Sequence, residues 1–268
     1  MNERIKRIVD FIKSKIKGKP EIAIISSREI KNYFHKMKNK IEINYTDIPD
    51  FPSKVSDNNG KYVFGTIDGK YIMVMFGRLH TYNNYNSGET SIPICVMKEL
   101  GVKKVIITSS CGAIREKFKI GELLLIRDHI NLSGHNPLNE LEVDARVKFC
   151  DISRAYDEEL NDLAIEAGKI FKFKIKKATI VQYPGPTSET PGEISLAKKA
   201  GADVAGFNFI YDAVLSAYFG MRCLAIGVIT NYAAAYSKNP LKYEDIKYNL
   251  QCSDDYFSDY LIEVIKKI

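Results

Sequence analysis

The chain has 268 residues, 45% of them hydrophobic, which suffices for a substantial core and falls within the range of a single α/β unit. Its 39 basic and 33 acidic residues leave a formal charge of +6, but the lysines are scattered among glutamates instead of forming an aromatic-interleaved stripe, which argues against a nucleic-acid partner. No apolar run approaches the length that spans a bilayer, and Cys95, Cys111, Cys150, Cys223 and Cys252 are odd in number with no CxxC pair, so we expect a cytoplasmic protein with reduced, mostly buried thiols and no membrane partner.

Apolar residues Ile5, Ile8, Val9, Phe11, Ile12 and Ile16 recur at helical spacing and predict a first helix over 4–17, with lysines on its outer face and at its end. Apolar runs predict strands over 21–26, 61–65, 71–75, 104–108, 122–126, 179–182, 204–206 and 223–230, several of them continuous enough to be covered on both faces. Further helices are expected over 91–100, 153–171, 191–199, 210–219 and 254–267. This alternation predicts an α/β three-layer domain, and no repeat, low-complexity tract or linker divides residues 1–268. Asp57-Asn58-Asn59-Gly60 and Asp68-Gly69 read as turns between strands, and Gly101 and Gly201 as helix C-caps.

In open α/β sheets, ligands sit beyond the carboxyl ends of strands. Arg78, Ser109-Ser110, Glu189, Asn208 and Asn231 all fall at or just after such ends, which suggests one rim that holds a polar small molecule. An arginine is rarely buried unpaired, so Arg78 requires either an acidic neighbour or an anionic ligand. His80 follows it at a spacing that puts both side chains on one side of an extended segment, whereas His35 reads as exposed, His129 as structural and His135 as part of a loop. Thr190-Pro191-Gly192-Glu193 is a capping box that gives Glu193 a structural task. Glu189 lies one residue outside it, either as a ligand-reading carboxylate or as a solvated loop charge. Asn231 is either a hydrogen-bonding partner for a ligand or the cap of a turn. No His, Cys or acidic pair has metal-ligand spacing, and GxSxG, P-loop and GxGxxG fingerprints are absent.

From about Glu21 onward the sequence resembles the trimeric purine nucleoside phosphorylases. The likeness is carried by Ile48-Pro49-Asp50-Phe51-Pro52, Gly77-Arg78-Leu79-His80, Leu100-Gly101-Val102, Leu125-Ile126-Arg127-Asp128-His129-Ile130-Asn131-Leu132, Asn136-Pro137-Leu138, Gly185-Pro186 with Glu189-Thr190, Gly201-Ala202-Asp203, and Ile229-Thr230-Asn231. It implies a nucleoside phosphorylase-like fold, a central mixed sheet flanked by helices, and phosphorolysis of purine ribonucleosides with inorganic phosphate as co-substrate and no cofactor. Asn231, where the related methylthioadenosine phosphorylases carry Asp, favours the 6-oxopurine branch. By the same resemblance, Glu189 and Asn231 read the base, and Arg78 and the backbone at Ser110 hold phosphate. His80 lies near phosphate and ribose, Tyr82 contacts the sugar, and Phe149 covers the sugar of a neighbouring site in a homotrimer.

The departures from that family concentrate on phosphate. Ser26-Ser27-Arg28-Glu29-Ile30 replaces a glycine-rich loop with its phosphate-binding serine, Asn58 stands in place of a histidine, and Asn208 in place of a serine. Around the nucleoside, Phe207 replaces a methionine, Ser188 a stacking aromatic, and Tyr243 a histidine near the 5′-hydroxyl. Two expectations follow: a phosphorylase in which Arg28 compensates for the lost loop, or a nucleoside hydrolase or purine-binding protein that has lost the phosphate site.

Overall fold

A computed structural model of the chain describes residues 2–26, 36–53, 60–80, 85–139, 141, 149–207, 209–234, 236 and 240–268. Its strands are β1 (Ile22–Ser26), β2 (Lys38–Asn44), β3 (Lys61–Ile67), β4 (Lys70–Phe76), β5 (Lys104–Ala113), β6 (Leu123–Asn131), β7 (Lys176–Gln182), β8 (Val204–Gly206) and β9 (Arg222–Tyr232). The helices among the described residues are α1 (Glu3–Lys15), α2 (Ser87–Leu100), α3 (Glu158–Ile170), α4 (Pro191–Lys199), α5 (Ile210–Tyr218) and α6 (Tyr243–Lys267).

All nine strands join one mixed sheet in the order β2-β3-β4-β1-β5-β8-β7-β6-β9, and β5 also pairs with β9, so the second half curls back on itself. Strand residues alternate between two cores. In β1, Ala23 and Ile25 pack with α1, α2 and α5, while Ile22 and Ile24 pack with α3 and α6. β4 does the same with Met73 and Met75 against Ile72, Val74 and Phe76. Each such side chain contributes about 1.5–3 kcal/mol when fully buried, so helix cover on both faces fixes the three-layer arrangement that the alternating elements predict. A smaller cluster of Ile114, Val181, Ile194, Ala197 and Ala205 seats α4.

Several bounds differ from those read in the sequence. β2 was not predicted, because only Ile43 in it is buried; it exists through antiparallel pairing with β3. α2 starts at Ser87, four residues before the predicted 91, on a capping box formed by Asn86 and Glu89. α3 starts at Glu158 and not at 153, because the Asp157 carboxylate accepts from the Leu160 amide and caps it there. α6 starts at Tyr243 instead of 254, its first turns carrying mostly polar residues. Cys252 lies exposed on that helix, a correction to the expectation of mostly buried thiols, while Cys111 and Cys223 are buried and Cys95 and Cys150 are partly so. The Asp68-Gly69 turn joins β3 to β4, and Gly101 caps α2 as read; most of Asp57 to Gly60 lies outside the described residues.

Two contacts position the elements that carry polar side chains. Tyr45, packed between Phe51 and Tyr62 at ring-centroid distances of 4.6 and 5.0 Å, donates from its hydroxyl to the Gly77 carbonyl at 3.1 Å. The Ile210 amide at the start of α5 donates to Gln182 Oε1 at 3.1 Å, tying that helix to the end of β7. Phe209 at the helix N-cap offers no side-chain acceptor, so Gln182 supplies one from outside. We expect Gln182→Ala to lower unfolding free energy in urea by about 1–3 kcal/mol, the cost of an unpaired buried amide; a loss below about 0.5 kcal/mol would show that this amide finds another partner.

Candidate functional site

The chain leaves β4 through Gly77, whose φ of 81° lies in the left-handed region that a side chain disfavours. Its amide donates to the Ser26 carbonyl at 3.2 Å, and the Tyr45 bond fixes its carbonyl, so the turn that follows is held from two sides. This carries Arg78 and His80 inward, with only 5% and 8% of their surface exposed. Nη2 of Arg78 lies 3.1 Å from Oδ2 of Asp212, in the first turn of α5. The acidic neighbour that a buried arginine requires is therefore present. Burial pushes the Asp212 carboxyl above the ordinary carboxylate range, and the Arg78 charge pulls it back. Burial also lowers His80, with Arg78 adding to the effect, to about 3, so this imidazole is neutral across the physiological range.

Asn231 is positioned by a slip in the β5–β9 ladder. Cys111 pairs with Ile229 but Gly112 pairs with Asn231, leaving Thr230 as an extra residue on β9. The Thr230 hydroxyl donates to Asn231 Oδ1 at 2.9 Å, and Asn231 Nδ2 donates to the Tyr232 carbonyl at 3.2 Å. From α6, Asn249 Nδ2 donates to the Thr230 carbonyl at 2.8 Å and braces the slipped residue. Gly112 lets Asn231 approach closely, since a Cβ there would sit 3.0 Å from Asn231 Nδ2 and push that amide aside.

The capping box at α4 forms as read: Thr190 Oγ1 accepts from the Glu193 amide at 3.2 Å, and Glu193 Oε2 accepts from the Thr190 amide at 2.7 Å. The Tyr183 hydroxyl donates to the Glu193 carbonyl at 2.8 Å and anchors the other end of the 183–190 loop. Glu189 is half-buried between these anchors, and burial, with the Glu193 charge adding to it, raises its carboxyl pKa. Ser188 beside it is exposed.

Sheet register relates these groups. Phe76 and Thr108 both pair with Ser26, so Arg78, just past the end of β4, and Ser110, within β5, lie two residues further along at a similar height. Gly112 on β5 pairs with Asn231 on β9 and with Ala205 on β8, bringing half-buried Phe207 to the same end of the sheet. A Cβ on Gly206 would lie 3.5 Å from the Ser110 carbonyl, so β8 runs close beside Ser110. Asn231 thus stands two residues above Ser110 along β5, about 7 Å at strand rise.

Tyr243 is the first residue of α6 and 65% exposed, and Phe149 is 94% exposed. His129 makes the structural contact expected of it, Nδ1 to the Tyr156 hydroxyl at 3.0 Å. Ser27, Arg28, Asn58, Tyr82 and Asn208 lie outside the described residues. Sequence reasoning missed Asp212, Thr230, Gly112 and Asn249. Asp212 had a readable signal, as the single charged residue in the apolar stretch 207–221.

A phosphorylase superfamily model matches residues 21–266. The chain is 35% identical over 248 residues to purine nucleoside phosphorylase 1 of Bacillus subtilis, covering 92% of each chain. It is 32% identical to the rat purine nucleoside phosphorylase, covering 85% of this chain and 82% of that one.

The chain belongs to the purine nucleoside phosphorylases of the phosphorylase superfamily.

Solved structures of the family agree in fold. A Schistosoma purine nucleoside phosphorylase in complex with hypoxanthine superposes with a TM-score of 0.92 at 29% identity, over 99% of this chain and 97% of that one. A purine nucleoside phosphorylase in complex with ribose 1-phosphate gives a TM-score of 0.87 at 29% identity, with the same coverage.

The buried histidine yields a test of this family member. The folded-state value of His80, about 3, lies below the 6.5 of an ordinary histidine, so the native state binds fewer protons than the unfolded one. Its contribution is complete above pH 6.5 and is lost as the pH falls toward 3. Melting temperatures measured between pH 7.5 and 4.5 should fall less steeply for His80→Asn than for the wild type; parallel profiles would mean that His80 is not buried neutral.

Proposed function

We propose that the chain is a pentosyltransferase that cleaves the N-glycosidic bond of guanosine- or inosine-type nucleosides with inorganic phosphate, giving free base and ribose 1-phosphate. It acts as a single nucleoside phosphorylase-like domain in cytoplasmic purine salvage. The observation that carries this reading is a buried cation beside a neutral histidine just past the end of β4, on the same rim of the sheet as an anchored amide near the end of β9, with β1 and β5 between them. An anion at the first and a heterocycle at the second would leave a ribosyl group between them.

In this reading Arg78 and the Ser110 backbone hold phosphate, with Ser27, Arg28 and Asn58 completing the anion site. A phosphate oxygen bonds to C1′ as the bond from C1′ to N9 breaks, the electron pair moves into the purine, and the purine takes up a proton to leave as free base while hydrogen phosphate gives one up in becoming the ribose ester. Asn231 bonds N7 and O6, where that charge accumulates, and Glu189 accepts from N1–H. Pre-placed dipoles and charges of this kind supply much of the rate enhancement of such reactions. His80, neutral in the free chain, serves phosphate and ribose as a hydrogen-bonding group. Tyr82, Ser188, Phe207, Asn208 and Tyr243 surround sugar and base.

Phe149, an aromatic side chain 94% exposed in the isolated chain, supports a homotrimer in which it covers the sugar of a neighbouring site.

Product analysis with inosine and guanosine, with and without phosphate, tests the reaction. Phosphate-dependent release of base with ribose 1-phosphate is expected. Free ribose at a rate indifferent to phosphate would instead identify a hydrolase, and purine binding without turnover a protein that keeps only the base site.

Specificity gives a second test, because the amide of Asn231 both donates and accepts whereas a carboxylate only accepts. Asn231→Asp should raise the ratio of kcat/KM for adenosine over inosine by about tenfold. An unchanged ratio would mean that residue 231 does not face the base.

A further inference from the structure

We propose that Asp212 is a positioning residue for phosphate, holding the Arg78 guanidinium in place for the anion; the inference rests on the phosphorolysis reading above. Asp212 occupies the first turn of α5, a helix whose other buried residues, Ile210, Ala213, Val214, Leu215 and Ser216, are small or apolar. Nothing in the packing of that helix calls for a carboxylate. A buried ion pair is a poor source of stability, since apolar residues of similar volume commonly serve as well or better. A carboxylate next to an anion subsite also repels the anion it adjoins. Both disadvantages meet at Arg78, a guanidinium assigned to phosphate.

What Asp212 supplies is geometry. An arginine side chain has several rotatable bonds, and a loose guanidinium loses much of its value to an incoming dianion. Here the base of the residue is fixed by the Tyr45 hydroxyl on the Gly77 carbonyl at 3.1 Å, and the tip is drawn toward Asp212 by an ion pair, Nη2 to Oδ2 at 3.1 Å, without hydrogen-bond alignment. Asp212 is itself held, because the Ile210 amide on Gln182 Oε1 at 3.1 Å fixes the first turn of α5 to the end of β7. The guanidinium is therefore braced by two separate elements of the fold before phosphate arrives.

The two roles of the carboxylate predict opposite signs. If repulsion dominates, neutralising Asp212 tightens phosphate binding; if positioning dominates, neutralising it weakens phosphate binding. We expect Asp212→Asn to raise the KM for phosphate by about tenfold or more while the KM for inosine stays within about twofold. Calorimetric titration with inorganic phosphate should show the same loss. Asp212→Glu keeps the charge one methylene further out and should raise the phosphate KM only about threefold. An unchanged or lowered phosphate KM in Asp212→Asn overturns the proposal, as does a parallel rise in both KM values, which would mark a general loosening of the fold. If Asp212→Asn is not recovered folded, Asp212→Glu decides alone, and equality with the wild type overturns the proposal. A wild-type chain that neither binds nor consumes phosphate overturns this inference together with the phosphorolysis reading. Wild-type phosphorolysis with indifferent variants overturns this inference only.

Discussion

The sheet is covered by helices on both faces, and this constraint governs where chemistry can occur. In β1, β4, β5 and β9, successive side chains pass alternately into two apolar cores, so no strand interior there has room for a ligand. Polar groups that meet a small molecule must be gathered at strand ends, and each must be brought there by a local departure from regular structure. Gly77 turns the chain at the end of β4, and the extra residue Thr230 breaks the β5–β9 register just before Asn231. The site is a set of controlled irregularities on the rim of an otherwise regular sheet.

Burial then sets the charge states. Arg78 and Asp212 are both buried, and each offsets part of the cost of burying the other. His80, next to a fixed cation and out of water, gives up its proton and becomes a neutral partner that can donate from one ring nitrogen and accept at the other. Glu189 is raised by burial and by Glu193, so a donor aimed at its carboxylate gains more there than it would in water. These shifts are consequences of placement, and placement follows from the strand ends and the caps.

Elements defined by local rules were legible in the sequence to the residue. The bounds of β8 and α4 agree with 204–206 and 191–199, and for α4 the Thr190–Glu193 capping box and Pro191 explain why. Elements defined by their neighbours were not. β2 has a mostly exposed sequence and gains strand form from β3. β5 continues through Ser109, Ser110, Cys111 and Gly112 to Ala113, a run of small residues that resembles a loop until β8 and β9 are placed beside it. β6 runs past the predicted end at 126 because its register with β7 shifts around Arg127 and then resumes. The same division holds in the site. The residues at strand ends could be picked out, but their braces, Thr230, Asn249, Gln182 and Asp212, come from register or from distant segments.

The alternatives posed for Arg78 by its sequence, an acidic neighbour or an anionic ligand, do not exclude one another in the proposed reaction; the acidic neighbour is present. An enzyme that takes up phosphate must also exist without it, and in that state a buried guanidinium with no counter-charge would bear a large desolvation penalty. A resident carboxylate removes that penalty and keeps the side chain folded inward, ready for the anion. Any phosphate that binds must then share a cation already engaged with Asp212. If Arg78 holds phosphate as proposed, affinity for that anion is a difference between two interactions with the same guanidinium, and substitutions at Asp212 shift that difference without touching the groups assigned to the base.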